Sequence, residues 1–343
     1  MSVGDPIAHN GKLLNLQIAG FSRSMYRPTS GIQLYKQRLE GLKAGRTYTL
    51  LPPDSFREVW EGATGQPTYQ DWKDLLYREA KAIAYGQGAN RLVVLLGDSL
   101  TLWFPPELLI SGRLWLNQGI SGDNTAGMLK RLWAFSATRP DAIYVLGGIN
   151  DLRQGKPDWV ILKNLEYIVD EIRQAHPEAR VVLQSILPTR LGALPNTRIR
   201  KINAELETIA RKQGAMYLEL NSRFTESGDI LRRSLTTDGV HLSRSGYLVW
   251  QKAIAQAESR LVLNRSDRYQ QWLKNSEQFT LHGRRYHWVP YRIQPGDTLE
   301  AIAEKTLGSA DVDYYDTIAI KNDISPDALE VDRTIYIPQV ISA

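Results

Sequence analysis

Cysteine is absent from the 343-residue chain. This absence excludes disulfide bonds, thiolate metal sites and a thiol nucleophile, and it leaves the redox compartment open. Histidine is scarce as well, because only five are present. Few imidazoles are therefore available to serve as a catalytic base.

Long apolar runs are also missing. No stretch approaches the roughly 20 apolar residues that a membrane-spanning helix needs. The first 30 residues contain an acid and a proline early, and no apolar segment is followed by a small-residue cleavage site. We expect no transmembrane segment, and no secretory signal is visible.

A concentrated basic surface is the third missing feature. The net charge is +5, but residues 287–343 hold four Lys/Arg and ten Asp/Glu, so the basic excess belongs to residues 1–286. There it is spread thinly, with no basic stripe interleaved with aromatic residues. This pattern favours ordinary solvated charge over nucleic-acid binding.

The chain has the composition of an ordinary globular protein, with 43% hydrophobic and 23% charged residues. Its length suggests two domains, or one large domain with appendages. Short Val/Ile/Leu-rich runs at 92–96, 142–148, 180–187 and 215–220 alternate with helical patterns from 68 and at 125–135, 157–176, 197–213 and 245–263. This alternation predicts an α/β domain built of right-handed βαβ units, with a parallel sheet covered on both faces.

Four segments follow from these patterns and from the shift to an acidic composition near residue 285. Residues 1–87 are expected to form an N-terminal arm, irregular over 1–66, with one amphipathic helix. Residues 88–263 form the α/β domain, residues 264–286 a connector with some helix, and residues 287–343 a small C-terminal domain.

Ser99 follows an apolar strand directly, in the stretch Gly97-Asp98-Ser99. Gly, Asp and Ser are ordinary turn formers, so a plain turn is one interpretation. The other is a nucleophile at the carboxyl end of a strand, where open parallel sheets place their ligands.

A serine nucleophile needs a base, and the base needs an orienting group. His241 stands in a turn before the last helix of the domain, and Asp238 precedes it by three residues. In a tight turn this spacing can bring the carboxylate beside the imidazole, so Asp238 could hold His241 in the tautomer that accepts a proton.

Acyl transfer also needs hydrogen-bond donors for the oxyanion. Such donors are expected at strand ends near Ser99, and two candidates lie in suitable places. The Gly-rich loop 117–124 can present the backbone N–H of Gly119, and Asn150 offers a side-chain amide just past the strand at 142–147.

Taken in order, four blocks resemble those of the SGNH hydrolase, or GDSL esterase/lipase, family: Gly97-Asp98-Ser99-Leu100, Asn117-Gln118-Gly119, Gly148-Ile149-Asn150-Asp151 and Asp238-Gly239-Val240-His241. The resemblance covers about residues 88–263. It implies that Ser99 is the nucleophile, His241 the general base and then acid, and Asp238 the orienting carboxylate. The implied oxyanion hole consists of the backbone N–H groups of Ser99 and Gly119 and the side chain of Asn150.

The same resemblance implies a three-layer α/β/α sandwich with a flavodoxin-like parallel sheet, and neither a metal nor an organic cofactor. The resemblance assigns no role to two further features. Residues 103–106, Trp-Phe-Pro-Pro, line an acyl or sugar pocket or else pack in the core. Asp98 and Asp151 are interpreted as caps of turns and helices, without chemistry.

The acidic tail has a strand-helix-helix-strand (βααβ) pattern over 291–338, with Asp297 as the expected N-cap of the first helix and Glu300 three residues on. With its "QPGDTL", Asn322 and "IYIP", it resembles a LysM module, a small α+β domain. The LysM family binds N-acetylglucosamine-containing glycans such as peptidoglycan and chitin. Glu300 stands where that family often has an aromatic residue, and the middle of the segment is longer than usual.

Together these features predict a serine esterase that removes an acyl group, for instance acetyl, from a cell-envelope glycan held by the LysM-like module. The alternatives are a lipase, lysophospholipase or thioesterase of the same mechanism with the module as an anchor, and a glycan-binding scaffold with an idle hydrolase site. A LysM-like module suggests the cell envelope or the extracellular space, whereas the missing signal suggests the cytoplasm.

Overall fold

The computed structural model describes residues 26–227, 229–281, 284–308, 312–322, 324 and 329–341. The chain divides into two compact units, Met1–Ala255 and Gln256–Ala343. The predictions for residues 1–25 of the arm fall outside the described residues, as do His9 and His282.

A five-stranded parallel sheet forms the centre of the first unit. Its strands are β1 (Leu92–Gly97), β2 (Leu114–Gly119), β3 (Ala142–Leu146), β4 (Arg180–Gln184) and β5 (Met216–Leu218). They lie in the order β2-β1-β3-β4-β5, and all four pairings are parallel. The predicted parallel α/β sheet is confirmed, and β1, β3, β4 and β5 lie within a few residues of their predicted places. The sequence pattern does not predict β2, because Asn117 and Gln118 interrupt its apolar run, and residues 117–119 of the expected Gly-rich loop belong to this strand.

Helices surround this sheet. They are α1 (Gly31–Lys43), α2 (Arg57–Trp60), α3 (Tyr69–Gly86), α4 (Ser99–Leu102), α5 (Thr125–Leu129), α6 (Ile149–Arg153), α7 (Asp158–Ala175), α8 (Asn196–Lys212), α9 (Asn221–Phe224) and α10 (Arg244–Asn275), with a short hairpin of β6 (Thr225–Glu226) and β7 (Ile230–Leu231). Helix α10 is longer than the helix predicted over 245–263, so residues 264–275 of the expected connector are helical.

The strand residues alternate between two apolar layers. Val181 and Leu183 of β4 pack in one core cluster with residues of α7 and α8. The next side chain, Gln184, accepts a hydrogen bond from Trp250 Nε1 of α10 at 2.7 Å on the opposite face. Helices therefore cover both faces, which confirms the three-layer sandwich.

The expectation of an irregular arm over residues 1–66 is wrong for its described part. Helix α1 begins at the N-cap Ser30 and buries Leu34, Gln37, Arg38 and Gly41. Arg38 donates bidentately to Glu79 of α3 and also to the carbonyl of Asn117 on the edge strand β2. Because polar side chains supply half of the buried face, apolar periodicity does not reveal this helix.

The second unit contains an antiparallel sheet of β8 (Gln278–Leu281), β9 (Arg284–Arg292) and β10 (Thr334–Val340), in the order β10-β9-β8. Helices α11 (Leu299–Leu307) and α12 (Val312–Asn322) connect β9 to β10 and share its apolar core. The predicted strand-helix-helix-strand plan is confirmed, and β8 adds one strand before it.

The predicted cap of α11 is wrong by one residue. Thr298 is the N-cap, and its hydroxyl accepts from the N–H of Ala301. Asp297 instead accepts from the N–H of Gln294 and from the hydroxyl of Tyr291 at 2.8 Å. The Asp297 carboxylate therefore stabilises the turn before α11 and does not cap the helix itself.

Within the part of the chain that the structure describes, none of the helices is long and apolar enough to cross a membrane.

Candidate active site

Ser99 lies at the carboxyl edge of the sheet, as the first residue of α4. Asp98 is the N-cap of this short helix, and its Oδ1 accepts from the N–H of Leu100 at 2.9 Å. This turn directs the Ser99 hydroxyl away from the strand, and Ser99 Oγ lies 3.1 Å from His241 Nε2. The structure therefore brings together two residues that lie 142 positions apart in the chain.

The turn 238–241 fixes the orientation of His241. Asp238 Oδ2 lies 2.6 Å from His241 Nδ1, and Asp238 Oδ1 accepts from the N–H groups of Val240 and His241. A carboxylate only accepts, so Nδ1 carries the ring proton and the Nε2 lone pair faces the Ser99 hydroxyl. The imidazole is thus in the tautomer that can take a proton from Ser99.

The electrostatics of the turn keep Asp238 ionised. Partial burial acts to raise its pKa, but hydrogen bonds from the His241 ring and from the N–H groups of His241 and Val240 outweigh burial and lower the pKa of Asp238 to about 2. A permanent negative charge beside Nδ1 is placed to stabilise an imidazolium, the form that His241 would take on accepting a proton at Nε2.

The predicted donor Gly119 has its N–H occupied, because this N–H donates to Asn117 Oδ1 at 2.9 Å. A glycine is needed there because a Cβ would lie 2.2 Å from the backbone nitrogen of Leu102 in α4. The structure thus gives Gly119 a packing role against the serine-bearing helix, which contradicts its assignment as a free oxyanion donor.

Gly122, in the loop that follows β2, is a candidate donor that the sequence pattern does not single out. It adopts a φ of +78°, which glycine tolerates best, and no described residue accepts from its N–H. The next residue, Asp123, accepts through its carbonyl from Asn150 Nδ2 at 2.9 Å. Asn150 therefore lies beside the loop of Gly122, and its amide nitrogen retains a second proton to donate.

The remaining described histidines are placed elsewhere. His176 is buried at the end of α7, stacked on Phe135 with ring centroids 5.5 Å apart, and burial lowers its pKa. His287 lies on β9 in the second unit. Among the described residues, no group of three or more His, Asp or Glu side chains is placed to hold a metal ion.

An apolar pocket with about 10 Å³ of free space lies at the ends of β1, β3 and β4. The chain runs from β1 to β2, on one side of β1, and then to β3, on its other side. The strand order therefore reverses at β1, and open α/β sheets bind ligands in the crevice at such a point. Leu100 and Val240, the neighbours of Ser99 and His241, line it together with Leu146, Ile149, Ile186 and Leu187. This space is close to what one water molecule needs, so the pocket is small.

The stretch 103–106 divides between the two interpretations that the sequence left open. Phe104 is buried and packs edge-on against Tyr247 and Trp250 of α10. Trp103, Pro105 and Pro106 line a separate pocket against the N-terminal segment. The core interpretation therefore holds for Phe104, and the pocket that its neighbours line is not the one beside Ser99.

Asp98 and Asp151 are structural, as the sequence predicts. Asp151 accepts from the N–H and the hydroxyl of Thr125 at 2.9 and 2.6 Å, which ties α6 to the first residue of α5. Asp98 caps α4 but is completely buried, and its Oδ2 has no partner among the described residues. Desolvation raises the pKa of Asp98 to about 7, against opposing contributions from the Leu100 N–H and from His241.

The raised pKa of Asp98 makes the stability of the first unit depend on pH. Between about pH 4 and pH 7 the folded chain keeps a proton on Asp98 that the unfolded chain has released, so the free energy of unfolding falls as pH rises through this window. Asp98→Asn keeps the acceptor for the Leu100 N–H but cannot titrate. When the pH rises from about 5 to about 8, we therefore expect this variant to lose less thermal stability than the wild type. Scanning calorimetry at both pH values measures the difference.

Asp54→Asn, at an exposed carboxylate, is the matched control and should follow the wild-type pH dependence. Parallel pH curves for wild type and Asp98→Asn would contradict the assignment of a proton to buried Asp98.

Comparisons with known proteins find matches in both units. The sequence model of the GDSL-like Lipase/Acylhydrolase family matches residues 83–249, and the LysM domain model matches residues 291–338. The platelet-activating factor acetylhydrolase IB subunit alpha1 of Homo sapiens is 28% identical over 207 residues, which cover 56% of this chain and 84% of that protein. Its Bos taurus counterpart is 29% identical over 206 residues, with the same coverage.

A solved structure from Streptococcus pneumonia, designated a platelet activating factor, shares the fold. Its TM-score is 0.50 at 24% identity, and the match covers 55% of this chain and 93% of that one. The chain therefore carries a GDSL-like lipase/acylhydrolase domain match over residues 83–249 and a LysM domain match over residues 291–338, and it is a hydrolase acting on ester bonds.

Proposed function

We propose that the chain is a serine esterase in which Ser99 is the nucleophile, His241 the general base and acid, and Asp238 the orienting carboxylate. The observation that carries the proposal is the continuous chain of contacts from Ser99 Oγ through the imidazole to Asp238, with distances of 3.1 and 2.6 Å. Serine is a weak nucleophile on its own, and an adjacent base held by a third group activates it.

In the proposed reaction, His241 Nε2 takes the hydroxyl proton as Ser99 Oγ attacks the ester carbonyl carbon. The tetrahedral oxyanion then collapses, the bond to the leaving oxygen breaks, and that oxygen receives the proton from His241. Water attacks the acyl-enzyme after giving a proton to His241, and the proton returns to Ser99 as the acid leaves. Asp238 stays ionised throughout.

Three donors are proposed for the oxyanion: the backbone N–H groups of Ser99 and Gly122 and the side-chain amide of Asn150. No described residue accepts from either backbone N–H, whereas Gly119 donates to Asn117. Free, fixed donors of this kind stabilise charge that develops only in the transition state.

We assign the pocket beside Ser99 to the acyl group of the substrate. Its apolar lining suits a hydrocarbon chain, and its size favours a short one such as acetyl. The two curated relatives described above are named acetylhydrolases, which supports the same assignment.

The LysM domain supports a glycan as the carrier of that acyl group. A glycan-binding domain on the same chain raises the concentration of the esterase at an insoluble glycan without any new contact in the active site. We therefore propose acetylated, N-acetylglucosamine-containing envelope glycan as the substrate. The names of the curated relatives favour a second candidate, an acetyl ester of the platelet-activating factor type.

A substrate panel with the full chain tests the proposal. We expect p-nitrophenyl acetate to be hydrolysed at least about tenfold faster than the octanoate, the usual cost of an acyl chain that overfills a pocket. We also expect acetate release from acetylated peptidoglycan sacculi, and soluble N-acetylglucosamine oligomers should inhibit it by competing for the LysM domain. Hydrolysis rates and released acetate are the measurements.

The soluble ester supplies the internal control, because the oligomers should leave its hydrolysis unchanged. Faster cleavage of the octanoate would contradict the short-acyl pocket. Activity on platelet-activating factor with none on sacculi would favour the second candidate.

A further inference from the structure

A buried guanidinium contacts several backbone segments of the proposed active site. Arg131 lies just after α5, and its side chain is 1% exposed. Nε donates to Asp123 Oδ2 at 2.7 Å, Nη1 to the carbonyl of Gln118 at 2.8 Å, and Nη2 to the carbonyl of Gly97 at 2.8 Å. Each nitrogen of the fork therefore holds a different segment.

These acceptors border the proposed oxyanion donors. Gly97 ends β1 two residues before Ser99, and Asp123 directly follows Gly122. The carbonyl of Asp123 in turn accepts from Asn150 Nδ2. One side chain thus connects the segments that carry the Ser99 and Gly122 N–H groups, and through Asp123 it also connects the amide of Asn150.

The local chemistry requires a guanidinium in this place. The carbonyls of Gly97 and Gln118 project from the ends of neighbouring strands, and Asp123 is a buried carboxylate whose pKa burial raises, against the opposing effect of Arg131. A planar fork with several donors can satisfy two carbonyls and a carboxylate at once, whereas the ammonium of lysine acts as a point charge on a flexible stem. Tyr69 of α3 adds only a long contact of 3.3 Å to Asp123 Oδ1.

We propose that Arg131 is a positioning residue that fixes the oxyanion donors of the esterase site relative to one another. The proposal rests on the function proposed above. Donors aimed at the oxyanion stabilise the transition state more than the bound substrate. Loosening them therefore lowers kcat and leaves KM nearly unchanged.

Arg131→Lys in the full chain is the test, because it keeps the charge beside Asp123 but cannot reach all three acceptors. We expect kcat for p-nitrophenyl acetate to fall by about 10- to 100-fold, below the effect of deleting one oxyanion donor outright, with KM within about twofold. A boronic acid, which forms a tetrahedral adduct with Ser99, should lose affinity by the same factor as kcat, since both depend on the oxyanion donors.

The matched control is Arg139→Lys, at an exposed arginine that also donates to a carbonyl, that of Gly88 at 2.9 Å. It should keep both kcat and boronate affinity. All assays are run well below the melting temperature of each variant, so that a loss of stability does not imitate a loss of kcat. If Arg131→Lys does not fold, Asp123→Asn weakens the same connection and should show the same parallel loss on a smaller scale.

An unchanged kcat and boronate affinity in the variant that folds would overturn the proposal, and so would an increase in KM without a change in kcat. Failure of the underlying function has a different signature: Ser99→Ala would then still hydrolyse the ester. If Ser99→Ala is inactive and Arg131→Lys is fully active, only the positioning role of Arg131 is refuted.

Discussion

Replacing Ser99 with alanine is expected to lower kcat for p-nitrophenyl acetate by about 10⁴- to 10⁶-fold, the range seen when a triad nucleophile is removed from a serine hydrolase. Ser99 Oγ is the atom that faces His241 Nε2 at 3.1 Å, and alanine offers no proton to remove and no lone pair to attack with. The oxyanion donors and the pocket survive the change, so a small rate above that of water should remain. Steady-state kinetics with purified protein measure the loss.

Ser136→Ala is a matched control, because the Ser136 hydroxyl is exposed and bonds only its local turn. It should keep wild-type kinetics. Ser99→Ala should also keep the wild-type melting temperature to within a few degrees, since the hydroxyl contributes one partly buried hydrogen bond. Appreciable hydrolysis by folded Ser99→Ala would contradict the assignment of the nucleophile.

Asp238→Asn should lower kcat by about 10³- to 10⁴-fold, close to the effect of the equivalent change in a serine protease. The amide oxygen can still accept from the N–H groups of Val240 and His241, so the turn should persist. The negative charge beside Nδ1 is lost, however, and the ring is no longer held in the tautomer that leaves Nε2 free to accept. The change therefore separates the orienting role of Asp238 from its role in the turn.

The pH dependence sharpens this prediction. Because hydrogen bonds lower the pKa of Asp238 to about 2, its protonation should not limit the activity of the wild type at any pH above about 3. If kcat falls with a midpoint well above about pH 3, the titration of a group other than Asp238 must cause the loss. Asp229→Asn, at a half-exposed carboxylate that pairs with Arg200, is the control and should change neither kcat nor its pH profile. A comparable loss in both variants would contradict the special role of Asp238.

Much of the fold follows from local patterns. The buried runs of β1, β3 and β4 are continuous apolar segments, and α7 and α8 show a clear helical repeat of apolar residues, so their places are encoded in short stretches of sequence. Helix α1 escaped prediction because Gln37 and Arg38 occupy its buried face, where their polar groups are satisfied by partners distant in the chain.

The residues of the candidate site likewise divide into those that local motifs reveal and those that only tertiary contacts reveal. Ser99, Asp238, His241 and Asn150 can be named from motifs, because each follows a strand or precedes a helix in a recognisable block. The choice between Gly119 and Gly122 cannot be made this way, since the two glycines lie only three residues apart in one Gly-rich stretch. It depends on which N–H the Asn117 side chain occupies and on how closely α4 approaches β2. Tertiary contacts of this kind leave no periodic signal in the sequence.

The proposed mechanism depends on Ser99 acting as a nucleophile that His241 and Asp238 activate. Incubation of the full chain with a fluorophosphonate, followed by mass spectrometry of the peptides, tests it most directly, because this reagent bonds covalently to an activated serine. We expect one phosphonyl adduct, located on Ser99, with labelling much slower in Asp238→Asn and absent in Ser99→Ala. An unlabelled wild type, or an adduct on a different serine, would contradict it.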